Sequence, residues 1–119
     1  ILAAMATCGC RRLVVESSAS LGSSCATGVL GAGYIVRLAL RQVMADKALQ
    51  EAATMASACN WTIVRPVKLS HAPAKGSLKA GADLRWNIAS SATRADVADF
   101  MVRILTDSST YRQAITLRN

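Results

Sequence analysis

The clearest apolar run in the chain is Trp61–Val64, which is followed by Arg65 and Pro66. Aromatic and β-branched residues favour a strand, and proline cannot continue a hydrogen-bonded ladder. Two similar runs are Leu13–Val15, which is closely followed by two serines, and Ala114–Leu117 near the end of the chain. Because none of these runs alternates strictly between apolar and polar residues, the pattern predicts short parallel strands buried on both faces.

Helical spacing of apolar residues appears in three other segments. Ile1–Cys10 resembles the end of a helix, with Gly9 as its stop signal. Tyr34–Ala58 is the longest helical pattern, and Thr93–Leu105 begins with a residue typical of a helix N-cap. The predicted buried stripe of the longest helix consists of Ile35, Leu38, Leu40, Val43, Met44, Leu49, Ala52, Ala53 and Met55.

The remaining segments are rich in glycine, serine and proline. Their composition predicts a loop at Ala19–Gly33. It also predicts an irregular segment at Val67–Trp86, with turns at Lys75-Gly76 and Ala80-Gly81. Asn87–Ser90 predicts one more short strand. Helices and strands therefore alternate along the chain, which indicates an α/β fold with a parallel sheet flanked by helices.

Composition limits the class of protein. The chain has 119 residues, 52% of them hydrophobic, which suits one domain or part of one rather than a disordered segment. The net charge is +7, but the basic residues are scattered, and we expect a solvated basic surface without dedicated nucleic-acid binding. The apolar stretch Gly28–Val36 is interrupted by glycines and followed by Arg37 and Arg41, so no membrane partner is expected.

The four cysteines do not have the spacing of a zinc site or of a thioredoxin-like pair. Because no signal peptide precedes them, we expect reduced thiols in a cytoplasmic protein, with cysteine serving as a small core residue. No metal site is expected. His71 is the only histidine, and it is either a proton donor or simply a solvated loop residue.

Three blocks of sequence, taken together, resemble a known family. They are Arg12–Ser18, then Asp46–Glu51 with Asn60–Pro66, and finally Ser91–Val102. Their order and spacing resemble the C-terminal half of atypical short-chain dehydrogenase/reductases. The most similar subgroup is the NAD(P)H-binding one that includes NmrA-like proteins and the biliverdin reductase B/flavin reductase type.

This resemblance implies a Rossmann fold in which a nicotinamide dinucleotide, NADP or NAD, lies across the carboxyl ends of the strands. It places Ser17 and Ser18 beside the nicotinamide half, and Lys47 where the lysine of a tyrosine-x-x-x-lysine motif contacts the ribose. Ser18 and Lys47 are the implied catalytic residues. The segment that lines the nicotinamide corresponds to Arg65, Pro66, Val67, Lys68 and Leu69.

The sequence also departs from the family pattern. Val43 stands where the family's proton-donating tyrosine would be, and the 119 residues contain no Gly-rich turn between a strand and a helix. Thr27–Gly33 resembles the Gly-rich turn that binds dinucleotides, but a loop separates it from the strand that precedes it. It is either a phosphate-binding turn or, as we expect, a loop over the substrate side.

We therefore expect residues 1–119 to be the C-terminal part of a single NAD(P)-binding Rossmann-like domain, without its N-terminal Gly-rich βαβ unit. Ile1 is not an initiator methionine, which agrees with this expectation. A partial parallel sheet leaves an edge without a partner, and we expect self-association through it.

The residues alone leave alternatives open at three positions. Lys47 is either a cation on the cofactor ribose or a surface partner of Glu51. Ser18 is either a hydroxyl near the nicotinamide or a cap at a strand end. Arg65 either contacts a phosphate or pairs with Asp96 or Asp99.

Two functions agree with the sequence. The first is an NAD(P)H-dependent oxidoreductase that reduces a flavin, a quinone or a similar small acceptor, for which the missing tyrosine is no obstacle. The second is a non-catalytic, NmrA-like nucleotide-sensing module or an inactive remnant.

Overall fold

The computed structural model describes all residues from 1 to 119. A four-stranded sheet forms its centre, and a separate pair of very short strands lies beside it. In chain order, the elements are α1 (Leu2–Cys8), β1 (Arg12–Glu16), α2 (Gly22–Ala26), α3 (Ala32–Ala39), α4 (Arg41–Ala56), β2 (Asn60–Pro66), β3 (Lys68–Ser70), β4 (Lys79–Gly81), β5 (Ser91–Thr93), α5 (Arg94–Arg103) and β6 (Gln113–Arg118). Single 3₁₀ turns cover Val29–Gly31 and Ser108–Thr110.

The strand order in the main sheet is β1-β2-β6-β4. The first three strands are parallel, with Val15 opposite Ile63 and Ile63 opposite Ala114, and β4 runs antiparallel to β6. β3 and β5 form a parallel pair of three residues each. The α/β class, the parallel sheet and its helical cover are therefore confirmed.

Helix α1 ends as its sequence predicts. Gly9 adopts a left-handed conformation with φ of 73°, and the N–H of Cys10 donates to the carbonyl of Met5. Glycine reaches this conformation without a steric penalty, which explains why the helix stops at this position.

The middle of the chain differs from prediction. The predicted loop Ala19–Gly33 contains helix α2, and the predicted single helix Tyr34–Ala58 is divided at Leu40, whose φ of −115° and ψ of 34° are not helical. The division lets α3 pack on α2 while α4 contacts β2. Apolar spacing cannot reveal such a break, because both halves keep the same helical period.

Two further local predictions are wrong. Ala80-Gly81 belongs to strand β4 rather than to a turn, because β4 pairs with the end of β6. The short strand lies at Ser91–Thr93 instead of Asn87–Ser90, where the Asn87 side chain accepts from the N–H of Ala89 and the Ser90 hydroxyl. This side-chain turn competes with strand pairing.

The hydrophobic core lies mainly between the sheet and α5. Val64 and Leu117 are completely buried there, and Val97 of α5 and Ile104 at its C-cap belong to the same buried cluster. The predicted stripe of the long helix is different, because only Met44 among its nine residues is buried. Its burial was wrongly predicted; the buried positions of α4 are Met44, Glu51 and Thr54.

The N-terminus of α5 confirms the predicted N-cap. The Thr93 hydroxyl accepts from the Asp96 N–H at 3.1 Å and donates to the Asp96 carboxylate at 2.7 Å. None of the helices has both the length and the apolar character that crossing a membrane requires.

Candidate functional site

A cavity of about 300 Å³ opens at the carboxyl ends of β1 and β2. This edge is where open parallel sheets bind ligands, because the loops that follow the strands diverge there. The volume is at the lower end of the range for small-molecule pockets. The lining residues come from the segments that follow β1 and β2, from α3 and its C-cap, and from the loop between β4 and β5: Ser18, Ala19, Ser20, Val36, Leu40, Val67, Lys68, Trp86, Asn87, Ile88 and Ser90.

The segment after β1 is held in place by backbone hydrogen bonds to β2. The Ser17 N–H donates to the Val64 carbonyl at 2.7 Å, and the Ala19 N–H donates to the Pro66 carbonyl at 3.1 Å. Ser18 lies between them and lines the cavity. Its hydroxyl oxygen accepts from the Ser20 N–H at 3.3 Å, so its own proton is free for a ligand.

Ser17 is almost completely buried, with 3% of its surface exposed, yet its hydroxyl has no hydrogen-bond partner. A buried polar group without a partner destabilises a fold by about 1–3 kcal/mol and is therefore uncommon. The orphaned hydroxyl at the end of β1 indicates that this edge of the sheet has unused hydrogen-bonding capacity.

The predicted segment after β2 divides between the cavity and the core. Val67 and Lys68 line the cavity, whereas Pro66 is buried at the strand end and Leu69 packs against the core cluster. The Val67 N–H donates to the Leu117 carbonyl at 3.0 Å, which fixes the direction of this segment. Lys68 is the only charged side chain that lines the cavity.

Trp86 forms a wall of the cavity and was missed by the sequence analysis. It is 4% exposed, and its indole N–H donates to the Ser24 carbonyl at 2.9 Å. The only sequence signal for Trp86 as a site residue is that it is an aromatic residue within a polar segment. Its place depends on the backbone of α2, a helix that the sequence did not predict.

Lys47 lies beside the end of β1. Its ammonium nitrogen is 3.5 Å from the Glu16 carbonyl oxygen, a long contact that leaves hydrogen-bonding capacity on the ammonium group. The alternative surface pair with Glu51 is wrong, because Glu51 is buried and pairs with Arg65 instead. The structure therefore brings Lys47 and the serines to the same end of β1.

Arg65 points away from the cavity, into a buried polar cluster. Its guanidinium forms a double hydrogen bond with the Glu51 carboxylate, at 3.0 and 2.8 Å, and donates to the Ser23 hydroxyl at 3.3 Å. The predicted pairing with Asp96 or Asp99 is wrong, since Asp99 pairs with Arg103. A cofactor contact by Arg65 stays a prediction, but its donors already serve α4 and α2.

Asp96 holds the loop after β3 against α5. Its carboxylate accepts from the N–H groups of Lys75 and Gly76 at 2.9 and 3.0 Å, and from the Asn119 amide at 2.9 Å. These hydrogen bonds, led by that from Lys75, together with the bond from Thr93, hold the pKa of Asp96 well below its usual range. Its role here is structural.

The glycine stretch before α3 does not have the geometry of a phosphate-binding turn. It follows helix α2 rather than a strand, and Gly33 is packed directly against the backbone of Cys25. A Cβ added to Gly28 would lie 2.7 Å from the Gly33 nitrogen. These glycines serve close packing of α2 on α3, not a free cradle for phosphate.

The other candidate groups do not assemble into a site. His71 is exposed in the loop after β3, and Cys8 and Cys10 are exposed while Cys25 and Cys59 are buried. All four thiols are free. No three His, Cys, Asp or Glu residues come together in a way that could hold a metal ion.

A family model described as NAD(P)H-binding matches residues 1–108. No curated protein sequence matches the chain.

Solved structures share the fold at low sequence identity. A short-chain dehydrogenase/reductase from Veillonella parvula, solved in complex with NADP, is 20% identical with a TM-score of 0.81, covering 100% of this chain and 55% of that chain. ChuY, an anaerobilin reductase from Escherichia coli O157:H7, is 21% identical with a TM-score of 0.81, covering 98% and 53%. An oxidoreductase from Lactococcus lactis is 21% identical with a TM-score of 0.79, covering 100% and 51%. The chain thus spans about half the length of these structures.

Proposed function

Because the chain belongs to the NAD(P)H-binding family, we propose that it forms the nicotinamide side of an NAD(P)H-dependent reductase for a flavin, a quinone or a similar small acceptor. The observation that carries this proposal is the cavity at the ends of β1 and β2. It is lined by Ser18, Val67 and Lys68, three of the residues that the family resemblance assigns to the nicotinamide.

The residues of this chain fit one end of the cofactor. The cavity of about 300 Å³, the free hydroxyl proton of Ser18 and the ammonium group of Lys47 suit an uncharged amide ring and a ribose, whereas the orphaned Ser17 hydroxyl is buried outside the cavity lining. They do not provide a pyrophosphate cradle, because Gly28 and Gly33 are packed against neighbouring backbone and the stretch does not follow a strand.

The chain's own residues bind and orient the nicotinamide end of the cofactor, and they exclude water from it. Ser18 donates its free hydroxyl proton, and Lys47 contributes a cation at the ribose side. Ala19, Val67 and Trp86 present apolar surface that keeps water from the reacting atoms. When bound, the nicotinamide supplies a hydride.

The missing tyrosine limits the class of acceptor. Val43 is exposed on α4 and offers no proton, so an acceptor must take up a hydride without a strong protein acid nearby. Conjugated acceptors such as flavins and quinones meet this condition, because the added charge is delocalised over their rings. The reductase named among the structural relatives supports the reaction class.

A comparison of two reduced nucleotides tests the proposal. We expect the folded chain to bind reduced nicotinamide mononucleotide and NADPH with dissociation constants that agree within about threefold, since only the shared nicotinamide end finds complementary groups. Nicotinamide fluorescence during titration measures both constants. A strong preference for NADPH would instead locate a phosphate cradle within these residues.

Lys47 provides the matched variants. Replacing it by methionine removes a charge-assisted hydrogen bond and should weaken the binding of both nucleotides by roughly tenfold. Lys79→Met serves as the control and should leave binding unchanged, because Lys79 is an exposed residue of β4 that does not line the cavity. A folded chain that binds neither nucleotide contradicts the proposal.

A nucleotide-sensing module without catalysis is the second candidate, and the absence of the tyrosine at position 43 favours it. The two candidates differ in turnover. A reductase oxidises NADPH continuously when flavin mononucleotide is supplied, whereas a sensor binds the nucleotide and leaves the absorbance of its reduced nicotinamide constant.

A further inference from the structure

Six large apolar side chains are exposed in one short segment around α3. They are Leu30, Tyr34, Ile35, Leu38, Leu40 and Val43, and their exposed fractions range from 49% to 94%. Together with Arg37 and Arg41, which lie among them, we call these residues the α3 surface. The sequence predicts four of the six, all but Leu30 and Tyr34, in a buried stripe, and the structure leaves them in solvent. Tyr34 and Leu38 border one open cavity, and Leu40 also contributes to the lining of the candidate site. Exposed apolar side chains concentrated in one segment indicate a partner.

The charge on this surface has one sign. No aspartate or glutamate occurs between Glu16 and Asp46. The two ion pairs of the protein are Arg65–Glu51 and Arg103–Asp99, so neither Arg37 nor Arg41 is neutralised. These arginines are four residues apart in sequence and border the same open cavity of about 390 Å³, together with Tyr34, Leu38 and Met44.

Two cations that border one cavity repel each other, and an anion bound between them removes this repulsion. A second copy of the chain would bring two more arginines to the same place and no carboxylate from this stretch. A surface of anionic lipids instead neutralises the arginines and accepts the apolar side chains, as it does for amphipathic basic helices. Charge complementarity therefore favours the lipid.

We propose that the α3 surface docks the protein on an anionic lipid membrane. Leu30, Ile35 and Leu38 enter the boundary between headgroups and acyl chains, and Arg37 and Arg41 contact lipid phosphates. Tyr34 suits the same depth, because its ring is apolar and its hydroxyl is polar. The membrane is bound at its surface and is not crossed.

Vesicle co-sedimentation of the full 119-residue chain tests this inference. We expect binding to vesicles of phosphatidylcholine with about 30 mol% phosphatidylglycerol and little binding to phosphatidylcholine alone, because the anionic leaflet attracts basic side chains. Raising the salt from about 0.1 M to about 0.5 M should weaken binding, since the charges are screened.

Variants separate this surface from the general positive charge of the protein. Arg37→Gln with Arg41→Gln should reduce the vesicle partition coefficient by roughly 25-fold, or about fivefold per arginine. Arg11→Gln with Arg94→Gln removes the same net charge from exposed sites elsewhere and should change it much less. Leu38→Glu places a carboxylate in the surface and should abolish binding.

Three results would overturn the inference. One is equal binding to neutral and anionic vesicles. Another is an equal loss of binding in both double-arginine variants, which would assign the effect to net charge alone. The third is a monomer–dimer equilibrium that Leu38→Glu disrupts in the absence of lipid, because the surface would then belong to a second copy.

Discussion

Arg65 illustrates how a single residue can be placed by a partner that the sequence does not suggest. Its guanidinium and the Glu51 carboxylate are 3% and 8% exposed and join β2 to α4. Gly22 lies against the same guanidinium, where a Cβ would collide with it. The pair is thus enclosed on all sides, and its charges have little contact with water.

Breaking this pair should destabilise the protein strongly. Glu51→Gln leaves the Arg65 charge buried without a counterion, and we expect the free energy of unfolding to fall by about 3 kcal/mol. The double variant Glu51→Leu with Arg65→Met removes both charges and should be considerably more stable than Glu51→Gln. Urea denaturation of the three proteins measures the differences. If Glu51→Gln is as stable as the parent protein, water reaches the Arg65–Glu51 pair.

Asp96 predicts a dependence of stability on pH. Because its pKa in the folded protein is depressed from the usual 3.8, its carboxylate stabilises the fold above that value. The stabilisation is lost as the pH falls below the usual value toward the folded pKa. Unfolding free energies measured between about pH 6 and pH 2 should decline less steeply for Asp96→Asn than for the parent. Identical acid slopes would show that the hydrogen bonds from Lys75 and Gly76 do not persist in solution.

At the scale of elements, the contact between α2 and α3 determines the shape of the site. Gly33 packs against Cys25, and the Ser24 carbonyl holds the indole of Trp86 at the cavity wall. α2 is only five residues long and has no side-chain cap. Its position therefore depends on these tertiary contacts rather than on its own helical preference.

A methyl group at position 33 should loosen this contact. Gly33→Ala places Cβ against the backbone of Cys25, which cannot move aside easily, and we expect a loss of about 2 kcal/mol in unfolding free energy. Gly9→Ala is the control, because it has open space but a left-handed backbone, and should lose about 1 kcal/mol. Trp86 fluorescence should also change in Gly33→Ala alone. A smaller loss at position 33 than at position 9 would contradict the packing argument.

At the scale of the molecule, β1 is paired on one side only. Since the Ser17 N–H points to the Val64 carbonyl, the neighbouring Glu16 N–H points away from β2, toward the open edge. An apolar groove continues from this edge and is lined by Ile1, Leu2, Ala3, Leu13, Val15, Gln50, Ala53 and Thr54. The lining of this groove contains no charged side chain, and an unpaired strand edge beside an apolar groove favours pairing with another strand.

We therefore expect the chain to self-associate through β1. Glu16→Pro removes an outward N–H and none of the hydrogen bonds to β2, and should shift the equilibrium toward monomer. Glu16→Gln removes the charge but keeps the N–H, and should leave association unchanged. Sedimentation velocity over a range of concentrations measures this. A parent chain that stays monomeric throughout would show that the edge is not used.

Much of the fold follows from local signals. The runs around Val14, Ile63 and Ile115 are strands, Gly9 ends the first helix and Thr93 begins the last, because propensity and capping act over a few residues. Ser18, Val67 and Lys68 line one cavity, whereas the cofactor roles assigned to all the predicted residues stay predictions.

What the sequence alone determined was the α/β class and the family, since these depend on short patterns and their order. The end of the sheet where the site should lie stays a prediction from the same patterns. Only the tertiary structure decided the partner of Glu51, the place of Trp86 and the exposure of the apolar side chains around α3. A helical period specifies that residues share a face, but whether that face meets the sheet or the solvent depends on where the helix packs. The helix is interrupted at Leu40, and apolar residues of the predicted stripe are exposed on both sides of this break.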